Sequence, residues 1–315
     1  MQKEKNLGFK KQINVSNRGY KIIYIERAKI IVDKSTLVYI KKEENQELYF
    51  NIPYLNTSIL MLGTGTSITN EAIRLASDNS IIIMFVNSIY KPSAHTDFTC
   101  LTYNSEYKEQ KYNQRFAQIF FNEELRLQKA KEILHRRVVI TKELYSFFKG
   151  EDILSEELLS KSNILLDRFD KTIQNKTTIT DLLLTEARHT KDIFKLFKND
   201  FKVEFTKETK VEKIKDNINR NLIDLNYLAY GMSASALSAL GISYSFPLLH
   251  GKTRRGALVF DIADLIKDGF SIPLSFHSDR LNLSKSEVRQ FALETIEHLK
   301  LFRRIFKEIN DLSLI

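Results

Sequence analysis

The chain has 315 residues, 43% hydrophobic and 28% charged, with ten Gly and four Pro; such a composition can bury a sizeable core in roughly two domains and excludes disordered and fibrous classes. With 48 Lys and Arg against 39 Asp and Glu, the formal net charge is +9; this favours polyanionic partners through phosphate neutralisation, although a basic protein without such a partner shows the same balance. The single cysteine, Cys100, excludes an intrachain disulfide and any multi-cysteine zinc or iron–sulfur centre, and reads as a buried, inert thiol.

The first residues, MQKEKNLGFKKQ, carry no apolar stretch behind their charges and do not read as a secretory signal. No segment offers the roughly 18 apolar residues of a membrane span. A cytoplasmic protein without a membrane partner is expected. The first third is β-rich. Short β-branched or aromatic runs at 21–26, 28–33, 36–40, 47–52 and 58–62 are separated by polar residues, and IIIMFV (81–86) reads as a strand buried on both faces. The turn Gly63-Thr-Gly65-Thr-Ser67 lies between a strand and a helix reaching about Ala76. It lacks the third glycine of the dinucleotide fingerprint and the Gly-Lys-Ser/Thr of the triphosphate loop, so a tight turn with Ser67 or Thr69 capping the helix accounts for it.

Residues 87–105, with Pro92, read as a linker. Helical periodicity then runs through 108–147, 153–173, 181–198, 216–240, 256–268 and 285–311. The Ala-, Ser- and Gly-rich stretch at 227–240 reads as a closely packed core helix. Ser284 and Glu287 form a capping box, and Gly269 stands where the 256–268 helix is expected to end.

Two segments carry candidate chemistry. FPLLHGKTRRGALVFDIADLIKDG (246–269) places His250 before a helix, follows it with Lys252, Arg254 and Arg255, and sets Asp261 and Asp264 three apart on one helix face. An imidazole, hard carboxylates and phosphate-binding cations in one segment are the ingredients of phosphoryl chemistry on DNA. Asp261, Asp264 and Asp268 also fit a solvated acidic stripe. Against that, LVFDIADLI is apolar on nearly every side, and a shielded carboxylate needs a cation or a donor beside it. Carboxylates gathered to hold a cation are expected to repel one another without it.

TTITDLLLTEARHTKDIFKLF (177–197) places Glu186 on or beside an apolar face, flanked by Arg188, His189 and Lys191, with Thr177 or Thr178 able to cap the helix. Glu186 reads equally as a border residue paired with a cation one turn away. A third reading takes Glu186 with His189, and Glu132 with His135, as half the ligand set of a ferritin-like di-iron bundle, but Arg136 and Arg137 follow the second pair directly. His95, His277 and His298 have no ligand-like spacing and read as surface or capping residues.

LLLTEARHTK, FPLLHGKTRRGALVFDIADLIKD and LMLGTGTSIT resemble three blocks of the CRISPR-associated integrase family, the spacer-acquisition subunit, and are closest to its type I-F wording. The resemblance spans about Lys21 to Asp268. It implies an α+β chain: a small β-rich dimerisation domain over residues 1–95, then an all-helical catalytic domain over 96–315. It implies one divalent metal, Mg²⁺ or Mn²⁺, held by Glu186, His250 and Asp264, with Asp261 at a nearby acidic position. Arg188, Lys252, Arg254 and Arg255 would contact DNA. The implied partners are double-stranded DNA (spacer precursor and CRISPR repeat), a second copy of the chain, and a small ferredoxin-like adaptation subunit, fused in type I-F systems to the interference nuclease-helicase. The expected activity is metal-dependent transesterification that inserts spacers, with hydrolysis at the same site. The alternatives are a stand-alone repair or junction nuclease and a non-catalytic DNA-bridging subunit.

Overall fold

The computed structural model describes residues 21–43, 46–85, 99–101, 110–208, 214–251 and 256–314. Strands β1 (Lys21–Ile25), β2 (Lys29–Asp33), β3 (Thr36–Glu43), β4 (Gln46–Asn51), β5 (Thr57–Leu62) and β7 (Ile82–Phe85) stand where the β-branched runs place them, joined by the short β6 (Ser67–Ile68) and β8 (Thr99–Leu101). They form two sheets, in the orders β1-β5-β7-β8 and β4-β3-β2-β6. β5, α1 (Asn70–Asp78) and β7 make a parallel crossover unit. Thr69, not Ser67, caps α1, accepting from the Ala72 N–H at 3.3 Å. Gly65 takes a positive φ of 75°, which completes the turn before β6.

The first sheet is buried on both faces, as IIIMFV requires. Ile59, Met61, Ile82 and Met84 face the main helical core, whereas Leu60, Leu62 and Ile83 join a smaller core with Ile30, Leu37 and Ala72. Strand alternation assigns the two sets to opposite faces.

The remainder is helical: α2 (Gln110–Phe121), α3 (Glu123–Gly150), α4 (Glu156–Gln174), α5 (Ile179–Phe201), α6 (Asn217–Ala239), α7 (Ala257–Arg280), α8 (Lys285–His298) and α9 (Leu301–Leu312). The α+β architecture is the expected one. Four expectations need correction. The segment read as a linker contributes β8, which pairs antiparallel with β7. The run at 108–147 is two helices, because the Asn122 side chain caps a new start by accepting from the Leu125 N–H. The run at 285–311 breaks at Lys300, with φ 51°.

Gly269 is no stop: α7 continues through it, and through Pro273, to Arg280. A Cβ there would lie 2.6 Å from Leu144 Cδ1 and 3.1 Å from Thr141 Cα, so the glycine lets α7 press against α3. Gly231 does the same for α6 against Met61 and Met84, 2.9 Å from each. α7 is buried along almost its whole length and packs on both α3 and α6. No helix among the described residues is long and apolar enough to cross a membrane.

Candidate active site

α7 carries three aspartates on one stripe, and all are buried: Asp261, Asp264 and Asp268 are 2, 6 and 3% exposed. A solvated acidic face is excluded. Each carboxylate has found what burial demands, and each has found something different.

Asp261 serves the loop before the helix. Its Oδ2 accepts from the Leu248 and Leu249 N–H groups at 2.6 and 3.1 Å, and its Oδ1 from the His250 N–H at 3.0 Å. The same Oδ1 lies 2.6 Å from His250 Nδ1. A carboxylate accepting three amide hydrogens makes Nδ1 a protonated ring nitrogen and leaves Nε2 on the far side of the ring. Nε2 lies 3.9 Å from Asp264 Oδ2. From the other side Arg126 of α3 secures the loop, donating through Nε to Pro247 O and through Nη2 to His250 O, each at 3.0 Å.

Asp264 forms an ion pair with Lys267 one turn along α7. Burial pushes its carboxyl up, but Lys267, then Arg137 and His250, outweigh burial and hold it below the usual carboxylate value. Lys267 also lies over the Tyr230 ring, 5.1 Å from its centroid.

Asp268 faces α3, where its Oδ2 accepts from Arg137 Nε at 2.8 Å. Arg137 Nη1 reaches Glu186 Oε1 on α5 at 2.9 Å. Arg137 is buried, which alone would lower its pKa; Asp268, Glu186 and Asp264 reverse that and raise it. One guanidinium thus gathers carboxylates from two helices. This corrects the expectation of mutual repulsion: without a metal, the carboxylates are neutralised by Arg137 and Lys267. It also corrects the local reading of Glu186, whose cation comes from α3 and not from the next turn of α5.

Glu186 and His250 have side chains 19 and 18% exposed, against 8% for Asp264, so the cluster opens to solvent with Asp264 at its base. Among the described residues no three His, Cys, Asp or Glu side chains stand close enough to hold one ion together. Two of the expected ligands face each other; the third, Glu186, is turned onto Arg137. Arg188 is exposed on α5. Lys252, Arg254, Arg255 and His95 lie outside the described residues.

The di-iron reading does not survive. Glu132 is paired with Lys129 and Arg136, His135 with Asp170, and His189 stacks on Phe169 at 4.1 Å. His277, expected as a surface or capping residue, lies in the last turn of α7, 6% exposed and bonded to Arg280 at 2.8 Å. Sequence reasoning missed Arg137 and Lys267. Arg137 was detectable, for it shares a helical stripe with the buried Ile133, Leu134, Ile140 and Thr141, where a lone cation implies a buried anion.

The family model for "CRISPR associated protein Cas1" matches residues 23–270, which include every described residue of this cluster. The chain belongs to the Cas1 family. The CRISPR-associated endonuclease Cas1 of Pectobacterium atrosepticum is 34% identical over 301 residues, covering 93% of this chain and 91% of the relative. Among solved structures, a TtCas1–DNA complex matches with TM-score 0.67 at 18% identity, covering 93% of this chain and 91% of that one. A casposase bound to an integration product matches with TM-score 0.69 at 12% identity, covering 93 and 90%. The expected CRISPR-adaptation nuclease and integrase is borne out at the level of the Cas1 family.

Proposed function

We propose that the cluster of Glu186, His250 and Asp264 is the metal-dependent centre at which this Cas1-family chain cuts DNA and joins spacer ends to a CRISPR repeat. The observation that carries the reading is the Asp261–His250–Asp264 relay. A buried carboxylate fixes Nδ1 at 2.6 Å and turns Nε2 towards a second carboxylate 3.9 Å away. An imidazole oriented through its other nitrogen is the usual support of a metal-ligating histidine.

The donor set fits a hard divalent ion: two carboxylates and one imidazole, with the imidazole favouring Mn²⁺ over Mg²⁺. Such an ion would supply Lewis acidity at a phosphodiester and lower the pKa of an attacking hydroxyl. The chain's own groups do the rest. Asp261 orients the His250 ring through Nδ1 and leaves Nε2 facing Asp264. Arg137 and Lys267 hold the carboxylates in place, and Glu186 would leave Arg137 to hold the ion. Lys252, Arg254 and Arg255, directly after His250, and Arg188, two residues beyond Glu186, hold phosphates without reading bases. Attack by a DNA 3′-hydroxyl joins strands; attack by water cuts them.

Residues 1–95 serve as the dimerisation domain, residues 96–315 as the catalytic one. Double-stranded DNA, a second copy of the chain and a small ferredoxin-like adaptation subunit, possibly fused to the interference nuclease-helicase, are the partners, in the cytoplasm. The DNA complex and the integration product bound by the two structural neighbours support the DNA part of this reading.

The test is Asp264→Asn, which keeps the shape of the side chain, assayed with Mn²⁺ or Mg²⁺ on a repeat-bearing duplex and free spacer ends. Cutting and joining should fall by more than about a hundredfold, and the stabilisation of the parent by Mn²⁺ in thermal melting should vanish. If the variant still joins ends at the parental rate, Asp264 is structural and the metal centre is elsewhere. A parent that cuts without joining would be a repair nuclease; one that does neither would be a DNA bridge.

A further inference from the structure

Asp268 is a buried charge to which the proposed reaction gives no part. It stands one turn beyond Asp264 on α7, and its Oδ2 takes two nitrogens of Arg137, Nε and Nη2, each at 2.8 Å. The remaining nitrogen, Nη1, goes to Glu186 Oε1 on α5 at 2.9 Å. The two carboxylates that share this guanidinium are unequally held. The side chains of Asp268 and Arg137 are 5 and 3% exposed, and that of Glu186 is 19% exposed at the rim of the cluster. Glu186 is therefore the partner that can leave, and Asp268 the one that stays. A further acceptor stands by for the arginine: Thr190 Oγ1 lies 3.5 Å from Nη2 and 3.4 Å from Glu186 Oε1.

Two more buried groups adjoin Asp268, and neither brings a charge. His189 Nε2 lies 3.9 Å from Oδ2 without a hydrogen-bond partner, and burial lowers the pKa of the ring to about 4 from 6.5, which keeps it neutral. The Tyr145 hydroxyl is buried and likewise unpartnered, and burial, then Asp268, keeps it protonated. The cation that touches Asp268 is thus Arg137. A buried guanidinium needs a counter-charge. With Asp268 ionised, that need is met on α7. With Asp268 neutral, Glu186 would have to meet it, and a metal ion would compete with the arginine for the same carboxylate.

We propose that Asp268 is a positioning residue for the metal centre: it takes the charge of Arg137 upon itself, so that Glu186 can turn from the arginine to a divalent ion. This role rests on the reading of Glu186, His250 and Asp264 as the ligands. It goes beyond that reading in making a salt bridge that touches no metal set the affinity for one.

Mn²⁺ titration of the full-length protein without DNA, followed by the electron paramagnetic resonance of free Mn²⁺, measures that affinity without turnover. Asp264→Asn should abolish the site; if it binds Mn²⁺ as the parent does, the ligand set is wrong and the role of Asp268 falls with it. Asp268→Asn keeps the shape and removes the charge, and it should raise the Mn²⁺ Kd about tenfold or more. Arg137→Gln removes the competitor, alone or together with Asp268→Asn, and both of these variants should bind Mn²⁺ at least as tightly as the parent. That non-additivity is the signature of a residue acting through its neighbour. Strand joining should split in the same way: Asp268→Asn should need about tenfold more Mn²⁺ for half its rate and approach the parental rate at saturation. Loss of the site in Asp264→Asn beside a parental Kd in Asp268→Asn would keep the centre and overturn the role of Asp268. So would weak binding in Asp268→Asn that the second substitution, Arg137→Gln, fails to restore, since the carboxylate would then act by holding the fold. If Asp268→Asn does not fold, Arg137→Gln decides: weaker Mn²⁺ binding than the parent overturns the proposal, and equal or tighter binding supports it.

Discussion

α6 and α3 grip the same helix by opposite means. α6 sets Tyr230 edge-on to Phe260 of α7, with ring centroids 4.9 Å apart. α3 brings Arg137 among the carboxylates and comes so near Gly269 that a Cβ there would lie 2.6 Å from Leu144 Cδ1. An apolar interface loses stability in proportion to the volume removed. An ionic one is sensitive to which partner is removed, because the remaining charge stays buried. The α6 side is therefore built to hold α7 in place, whereas the α3 side keeps charge at the proposed centre.

The sharpest break of that contrast is Arg137→Met. It removes the cation shared by Glu186, Asp264 and Asp268 and should destabilise the chain by about 3–5 kcal/mol in EDTA, seen as a lower Tm. Millimolar Mn²⁺ should recover part of the loss if these carboxylates hold an ion. A Tm within a degree or two of the parent would mean that the ionic side contributes no more than a surface pair.

Protonation comes next in size. Burial, then Arg280, pushes His277 of α7 down to about 4 from 6.5. The unfolded chain therefore takes up this proton first. The contribution of His277 is complete above pH 6.5 and is lost as pH falls towards 4, by about 2–3 kcal/mol. Denaturant unfolding at steps from pH 7 to 4 should show this slope, and His277→Gln should flatten it. An equal slope in both proteins would assign the acid sensitivity to other groups.

Gly269→Ala should have the smallest effect. Alanine favours the helix by about 1 kcal/mol, but its methyl group would meet Leu144 and the α3 backbone at Thr141. Overpacking of about 1–3 kcal/mol should win, for a net loss of up to about 2 kcal/mol by chemical denaturation. A more stable variant would show that α3 can draw back from α7, and that the ionic contacts do not depend on the close approach.

The parts of the fold visible in the sequence are those governed by local rules. Strand runs, helix periodicity and the Ser284–Glu287 capping box all reappear in the structure. Gly269 misled because a glycine within a helix pattern and one after it look alike; only the neighbouring helix decides between them. At the candidate site, the apolar surroundings of Asp261, Asp264 and Asp268 pointed to at least one shielded carboxylate against the solvated stripe, and all three are buried. The division of labour among them could not be read, since it depends on what α3 and the 248–250 loop place opposite each one. Arg137 lies 49 residues from Glu186 and 131 from Asp268, and no local pattern links positions so far apart.

Asp261 and Asp264 leave the same helix one turn apart, and Asp261 pins the His250 ring. His250 and Asp264 are thereby parts of one rigid body, whose internal geometry was fixed when α7 folded. Glu186 belongs to another, α5, joined to the first across the Arg137 guanidinium. The proposed centre is thus a joint with two faces, and Glu186 would have to leave a single arginine to join the other two side chains.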